Sequence, residues 1–237
     1  MKYIFTTLSI GEDYLGNAES FFEDCSNRTS ADFNITTNSK KTSTERINYD
    51  ILEIQEFNDK RNYCPFYFNL KSLSLKPCIS LDYDFVIYVD SDWRLHKNFE
   101  EDKILRMFDF MNTNDIDFLF ERPGTVGGHK KNYEQSFCKN KLLDYNVFVH
   151  DKWDEAHITN EQFLVFKNND KLKFFVQRWE QFLWYSIKNN IWNYCEGFEI
   201  GVSALESGMN IHWDAFRGTI QECFEFNDRY GNYHARF

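Results

Sequence analysis

The segment Phe85–Val89 constrains the fold more than any other, because it is apolar without a polar break. A strand that faces water on one side alternates apolar and polar residues, whereas an unbroken apolar run is typical of a strand covered on both faces. Such strands occur in α/β proteins, where helices pack on each side of a mainly parallel sheet. The segment therefore predicts a central strand of a sheet of this kind.

Strand and helix signals alternate along the rest of the chain. Strands are predicted at residues 2–9, 31–36, 49–54, 116–120, within 158–169, and at 209–213. Helices are predicted at 11–25, 66–79 with an interruption at Pro77, 103–111, 171–187 with an apolar face of Phe174, Phe175, Trp179, Phe182 and Leu183, and 197–205 with a C-cap near Gly208. This alternation favours an α/β fold with a Rossmann-type, mainly parallel central sheet flanked by helices. The 237 residues suffice for one such domain, so we expect a single domain over 1–237.

Two carboxylates, Asp90 and Asp92, follow the apolar segment directly. If the strand continues through them, both point the same way, because strand side chains alternate faces. The carboxyl edge of an open α/β sheet is where ligands bind, and Mg²⁺ or Mn²⁺ carrying a diphosphate suits a carboxylate pair there. The chain has 37 Asp and Glu residues, so the same triplet also arises as a solvated turn or a helix cap.

Composition narrows the class of protein. No window is apolar enough to span a bilayer, and residues 1–10 read as a first strand rather than a signal peptide. The six cysteines include no Cys-x-x-Cys pair, which argues against a zinc knuckle or a disulfide framework and for reduced thiols in a cytoplasm. A net charge of −10 disfavours general affinity for nucleic acid, although a local basic groove stays possible.

Residues 122–131 form the most glycine-rich and locally most basic stretch of the chain. Their glycines permit unusual backbone geometry, and His129, Lys130 and Lys131 could meet a phosphate or an acidic acceptor. A solvated surface loop explains the same residues equally well. The chain contains no Walker sequence, so the stretch is not a nucleoside-triphosphatase loop.

Taken together, these motifs resemble the GT-A-fold glycosyltransferases. In that family an Asp-x-Asp motif holds a divalent metal against the diphosphate of a nucleotide-sugar. Residues 161–169 and the aromatic helix after them are similar to the strand that lines the family's sugar pocket, and residues 196–201 resemble the acidic helix start that faces the reaction centre. The resemblance implies a GT-A-like domain with a nucleotide-binding half at about 1–95 and a sugar- and acceptor-binding half at about 96–237.

The resemblance also implies site residues. Asp92 would be a direct metal ligand, Asp90 would contact the metal or the donor ribose, and His212 or His234 could add a further ligand. The donor would meet Thr6 and Thr7 at its nucleotide and Asn160, Glu161 and Gln162 at its sugar. Glu196 or Glu199 would be the general base of an inverting reaction, or a nucleophile or dipole stabiliser of a retaining one. Helix N-terminal charge explains both glutamates nearly as well.

We therefore expect a cytoplasmic, Mn²⁺- or Mg²⁺-dependent glycosyltransferase that uses a nucleotide-sugar, most simply a UDP-sugar. Its acceptor would be a glycan, a lipid or a protein, or a modified DNA base if the source is a phage, in which case the host cytoplasm is the setting. A nucleotidyltransferase is one alternative, although residues 8–13 supply no glycine-rich basic loop after the first strand. A noncatalytic nucleotide-sugar- or glycan-binding protein is another.

Overall fold

The computed structural model describes residues 1–53, 70–120, 155–157, 159, 162–188, 196–213 and 216–226. Its strands are β1 (Tyr3–Ser9), β2 (Asp32–Thr37), β3 (Ile47–Ile51), β4 (Phe85–Val89), β5 (Trp93–Leu95), β6 (Phe118–Phe120), β7 (Phe163–Lys167), β8 (Ile211–Trp213) and β9 (Phe224–Phe226). Its helices are α1 (Glu12–Arg28), α2 (Lys71–Ile79), α3 (Glu101–Thr113), α4 (Asp170–Lys188), α5 (Glu196–Glu206) and α6 (Arg217–Cys223).

One seven-stranded sheet runs through the described residues in the order β3-β2-β1-β4-β7-β6-β8. Strand β7 pairs antiparallel with both β4 and β6, and the other pairs in this sheet are parallel. Strands β5 and β9 form a separate antiparallel pair. The predicted α/β class with a mainly parallel sheet is confirmed, and strands from both halves of the chain share that sheet.

Each face of the sheet carries its own apolar core. Alternation along the strands sends Phe5 and Ile87 to one face, where they pack with residues of α1, α3 and α6, and we call this the α1 face. It sends Ile4 and Tyr88 to the opposite face, where they pack with residues of α2, α4 and α5, and we call this the α2 face. Burial on both faces explains why β4 is apolar throughout.

Several predicted details are wrong. Helix α2 passes through Pro77 to Ile79 rather than breaking there, so it accommodates the loss of the single hydrogen bond from residue 77 to the carbonyl of residue 73. Strand β3 begins two residues earlier than predicted and ends at Ile51. Phe174 is 46% exposed and lies outside the apolar face of α4, whereas Phe175, one residue on, is fully buried. Short elements β5, α6 and β9 carry no clear periodic signal, and the sequence did not predict them.

Candidate functional site

The order of the strands creates a crevice at the carboxyl ends of β1 and β4. From β1 the chain moves outward to β2 and β3 and then returns to place β4 on the other side of β1. Open α/β sheets bind ligands at this point, because the connections after the two strands leave in opposite directions. Gly11 follows β1 with φ of 91°, a conformation that favours glycine, and its N–H donates to Asn38 Oδ1 at 3.0 Å.

The acidic pair lies at this crevice, in a turn rather than in a strand. Strand β4 ends at Val89, and the N–H of Trp93 donates to the carbonyl of Asp90 at 3.2 Å. This hydrogen bond closes a four-residue turn over residues 90–93, which we call the 90–93 turn. Strand alternation therefore does not orient Asp90 and Asp92, contrary to the sequence prediction. The turn still keeps the two carboxylates close enough for the charge of Asp92 to affect the pKa of Asp90.

Asp90 is held by two donors on the α2 face. The ammonium of Lys71, the first residue of α2, lies 2.9 Å from Asp90 Oδ1, and the phenol of Tyr88 donates to the same oxygen at 2.7 Å. The side chains of Lys71 and Asp90 are only 6% and 16% exposed. Burial raises the pKa of Asp90, the charge of Lys71 opposes this, and Asp92 adds to the increase.

Asp92 lies at the corner of the turn and is partly buried, as Asp90 is. The next residue, Trp93, is buried and anchors the turn through rings of Phe163 and Phe224, whose centroids lie 6.1 and 6.2 Å away. A carboxylate oxygen is the ligand that hard divalent cations prefer, so Asp92 fits such a cation. Among the described residues, no group of three or more His, Cys, Asp or Glu side chains is arranged to hold a metal ion.

The structure brings only some of the residues predicted to contact the donor to the crevice. Thr6 and Thr7 are fully buried before the end of β1, and the Thr6 hydroxyl donates to the carbonyl of Ser74 at 2.7 Å. This arrangement does not bring them to the crevice. Gln162 does lie there, since its carbonyl accepts the N–H of Asp90 at 3.0 Å. Asn160 and Glu161 are outside the described residues.

Further along the same sheet edge, β6 and β8 end beside the start of α5. The ring of His157 lies 4.2 Å from that of Trp213, the last residue of β8, and Thr159 donates its N–H to the carbonyl of Gly197 at 3.2 Å. Glu199, in the first turn of α5, is fully buried. The structure thus places Glu199 in a helix that starts at the carboxyl edge. Glu196 begins the helix, and its side chain is not among those described.

Gly201 fixes how closely α5 approaches this edge. A Cβ atom at position 201 would lie 1.6 Å from the carbonyl oxygen of His157, well inside van der Waals contact. The helix can therefore pack against the backbone of His157 only because residue 201 has no side chain.

The structure does not bring His212 to the acidic pair. His212 lies on β8, three strand spacings from β4, which corresponds to more than about 14 Å. Its ring packs 5.2 Å from that of Phe110 in α3, on the α1 face. In this arrangement His212 cannot share a cation with Asp92. His234 and the basic stretch at 122–131 lie outside the described residues.

A groove of about 540 Å³ lies between α1 and β5, behind the 90–93 turn. Its lining includes the carboxylates of Glu12, Asp13 and Asp24 together with the guanidinium of Arg94. Negative charge therefore predominates among these side chains, and a polyanion such as nucleic acid does not suit the groove.

Sequence reasoning missed Lys71, because the predicted helix at 66–79 does not show which of its residues reaches Asp90. In the structure Lys71 is the first residue of α2, where the helix dipole disfavours a cation, but the predicted helix began at residue 66 and hid this signal.

None of the described helices is both long enough and apolar enough to cross a bilayer. No protein-family model matches this chain, and no curated protein matches it.

Proposed function

We propose that this chain is a GT-A-like, metal-dependent glycosyltransferase that takes its sugar from a nucleotide-sugar, most simply a UDP-sugar. The observation that carries the proposal is the position of Asp90 and Asp92 in a turn at the carboxyl end of β4. That end borders the crevice at which the strand order reverses, where open α/β sheets bind nucleotides.

We assign the metal and the sugar to different residues at the crevice. Asp92 would hold Mn²⁺ or Mg²⁺, and the cation would neutralise the negative charge that develops on the departing diphosphate. The hydrogen bond from the N–H of Asp90 to the carbonyl of Gln162 joins the 90–93 turn to the residue before β7, so Gln162 lies beside the residues proposed for the metal. Asn160, Glu161 and Gln162 contact the sugar in this proposal, as the resemblance to GT-A enzymes implies.

Glu196 and Glu199 are the carboxylates proposed for the reacting centre. Glu199 lies in a helix whose first turn borders the carboxyl edge, and it is fully buried. Because an acceptor does not reach a fully buried side chain, Glu199 is assigned the stabilisation of a dipole, and Glu196, the first residue of α5, is the proposed base or nucleophile. An acceptor hydroxyl within hydrogen-bonding reach of Glu196 would receive the sugar.

The geometry gives less support to the alternatives. A nucleotidyltransferase would need a basic glycine-rich loop after the first strand, yet only Ile10 and Gly11 separate β1 from α1. DNA that carries a modified base would be repelled by the acidic groove between α1 and β5, which lies behind the 90–93 turn. A noncatalytic binder would bind the same donor and release no product, which is the basis for the test.

The test is incubation of the purified protein with UDP-sugars and Mn²⁺, followed by quantification of released UDP. A glycosyltransferase slowly hydrolyses its donor when the acceptor is absent, so UDP should accumulate in the presence of Mn²⁺. Its release should stop when EDTA is added. A matched Asp92→Asn variant should release none above background. Thermal stabilisation by a UDP-sugar without any UDP release, with acceptors also supplied, would favour the noncatalytic binder.

A further inference from the structure

The ion pair between Lys71 and Asp90 is unusual because it is largely buried at the edge of the crevice. Both side chains are largely buried, their charged atoms are 2.9 Å apart, and the Lys71 ammonium lies 5.6 Å from the centroid of the Tyr88 ring. The Tyr88 hydroxyl donates to the oxygen that also faces the ammonium. A single carboxylate oxygen thus serves two donors, which fixes the orientation of Asp90.

Stability alone does not account for this pair. Removing an ammonium and a carboxylate from water carries a desolvation penalty that their attraction often only balances, and apolar replacements of similar size are commonly neutral or stabilising. Lys71 also lies at the first position of α2, where the helix dipole disfavours a cation. The buried ion pair and the lysine at a helix start are both unfavourable for stability, and both lie at the edge of the crevice. Together they point to a role for Lys71 in the site itself.

A cation bound to Asp90 Oδ1 would compete directly with Lys71. Metal–oxygen bonds of about 2.1 Å would leave such a cation no more than about 5 Å from the ammonium, and the two positive charges would repel strongly at low dielectric. Asp92 is the other carboxylate of the turn, and a cation held by it need not displace the Lys71 ammonium from Asp90 Oδ1. The two carboxylates of the Asp-Ser-Asp triplet are therefore not equivalent.

We propose that Lys71 is a positioning residue. Together with Tyr88 it neutralises and orients Asp90, which then anchors the 90–93 turn, while Asp92 holds the divalent cation. This inference rests on the proposed function, because it concerns the cation of the same site. Asp90 and Lys71 act as one electrically neutral unit, and neither is a ligand of the metal.

The test is a titration of Mn²⁺ into the protein with UDP, with free Mn²⁺ measured by electron paramagnetic resonance. Lys71→Met should tighten Mn²⁺ binding by about threefold to tenfold, because the charge of Asp90 is no longer neutralised. Asp90→Asn should weaken it by a similar factor, because the ammonium is then uncompensated. The double variant Lys71→Met/Asp90→Asn should return to within about threefold of the wild-type affinity, whereas Asp92→Asn should lose at least about thirtyfold.

A tighter Mn²⁺ affinity cannot result from damage to the fold, so the Lys71→Met result separates positioning from a merely structural role. The double variant removes both charges together, so it serves if a single variant fails to fold. Lys76→Met is the matched control, since Lys76 lies on the same helix, pairs with Glu180 and is 59% exposed; it should leave Mn²⁺ affinity unchanged.

The outcomes separate this inference from the proposed function. If wild-type protein takes up no Mn²⁺ with or without UDP, the proposed function is wrong and the inference is wrong with it. If wild-type protein binds Mn²⁺ and the double variant loses as much affinity as Asp92→Asn, Asp90 is a metal ligand and only the inference is overturned. Unchanged affinity in Lys71→Met would overturn it as well.

Discussion

Replacing Gly201 by alanine is expected to displace α5 and to destabilise the protein. The added Cβ would lie 1.6 Å from the oxygen and 2.7 Å from the carbon of the His157 carbonyl, and a backbone group cannot rotate away as a flexible side chain can. Overpacking of this kind usually costs about 1–3 kcal/mol, and contact with backbone on this scale favours the upper end. At about 2–4 °C per kcal/mol for a chain of this size, the melting temperature should fall by about 6–12 °C.

Gly16→Ala provides a matched control with the opposite sign. Gly16 lies inside α1, and a Cβ there would meet nothing within 4 Å. Alanine in a helix interior is more favourable than glycine by roughly 0.5–1 kcal/mol, so this variant should be slightly more stable than the wild type. Both variants are compared by denaturant unfolding and by thermal melting. A Gly201→Ala variant as stable as the wild type would refute the close packing of α5 on His157, and with it the placement of Glu199.

The other predictions concern two carboxylates with different tasks. Asp92→Ala should lose sugar transfer while its melting temperature stays within a few degrees of the wild type, because Asp92 belongs to a turn and not to either core. Full activity of this variant with Mn²⁺ in a transfer assay would show that Asp92 is not a metal ligand. Asp117→Asn should cost roughly 1–3 kcal/mol at neutral pH, because buried Asp117 accepts hydrogen bonds from Lys171, Asn169 and the N–H of Asn210. Burial, the largest single influence, would raise the pKa of Asp117, but these donors together outweigh it and lower the pKa. The stabilisation by Asp117 is therefore fully present above about pH 4, the pKa of an unfolded aspartate, and is lost as the pH falls through the lowered pKa of the folded state. Urea unfolding from pH 6 to pH 2.5 should show the gap between the wild type and Asp117→Asn closing, and a constant gap would contradict this assignment.

The central strand was predictable because its signal is local. The apolar run at Phe85–Val89 requires cover on both faces, and the structure provides it with helices on the α1 and α2 faces. The carboxyl end of that strand then fixes the location of Asp90, whichever neighbours the strand has. This much follows from periodicity and from the geometry of open α/β sheets.

Other features depend on contacts between distant segments and could not be predicted from local patterns. The antiparallel direction of β7 is one, since strand periodicity is the same for both directions. The pairing of Lys71 with Asp90 is another, because it joins a helix start to a strand end that are 19 positions apart. His212 was a plausible ligand by residue type, but only the strand order shows that three spacings separate it from β4.

The measurement that tests the central claim most directly is a calorimetric titration of UDP into the protein with Mn²⁺ and then with EDTA. The account predicts saturable binding of UDP that requires Mn²⁺, and its loss in Asp92→Asn while that variant keeps its melting temperature. If UDP binds equally well in EDTA, or if Asp92→Asn binds it with wild-type affinity, the crevice between β1 and β4 is not a metal–diphosphate site at Asp92.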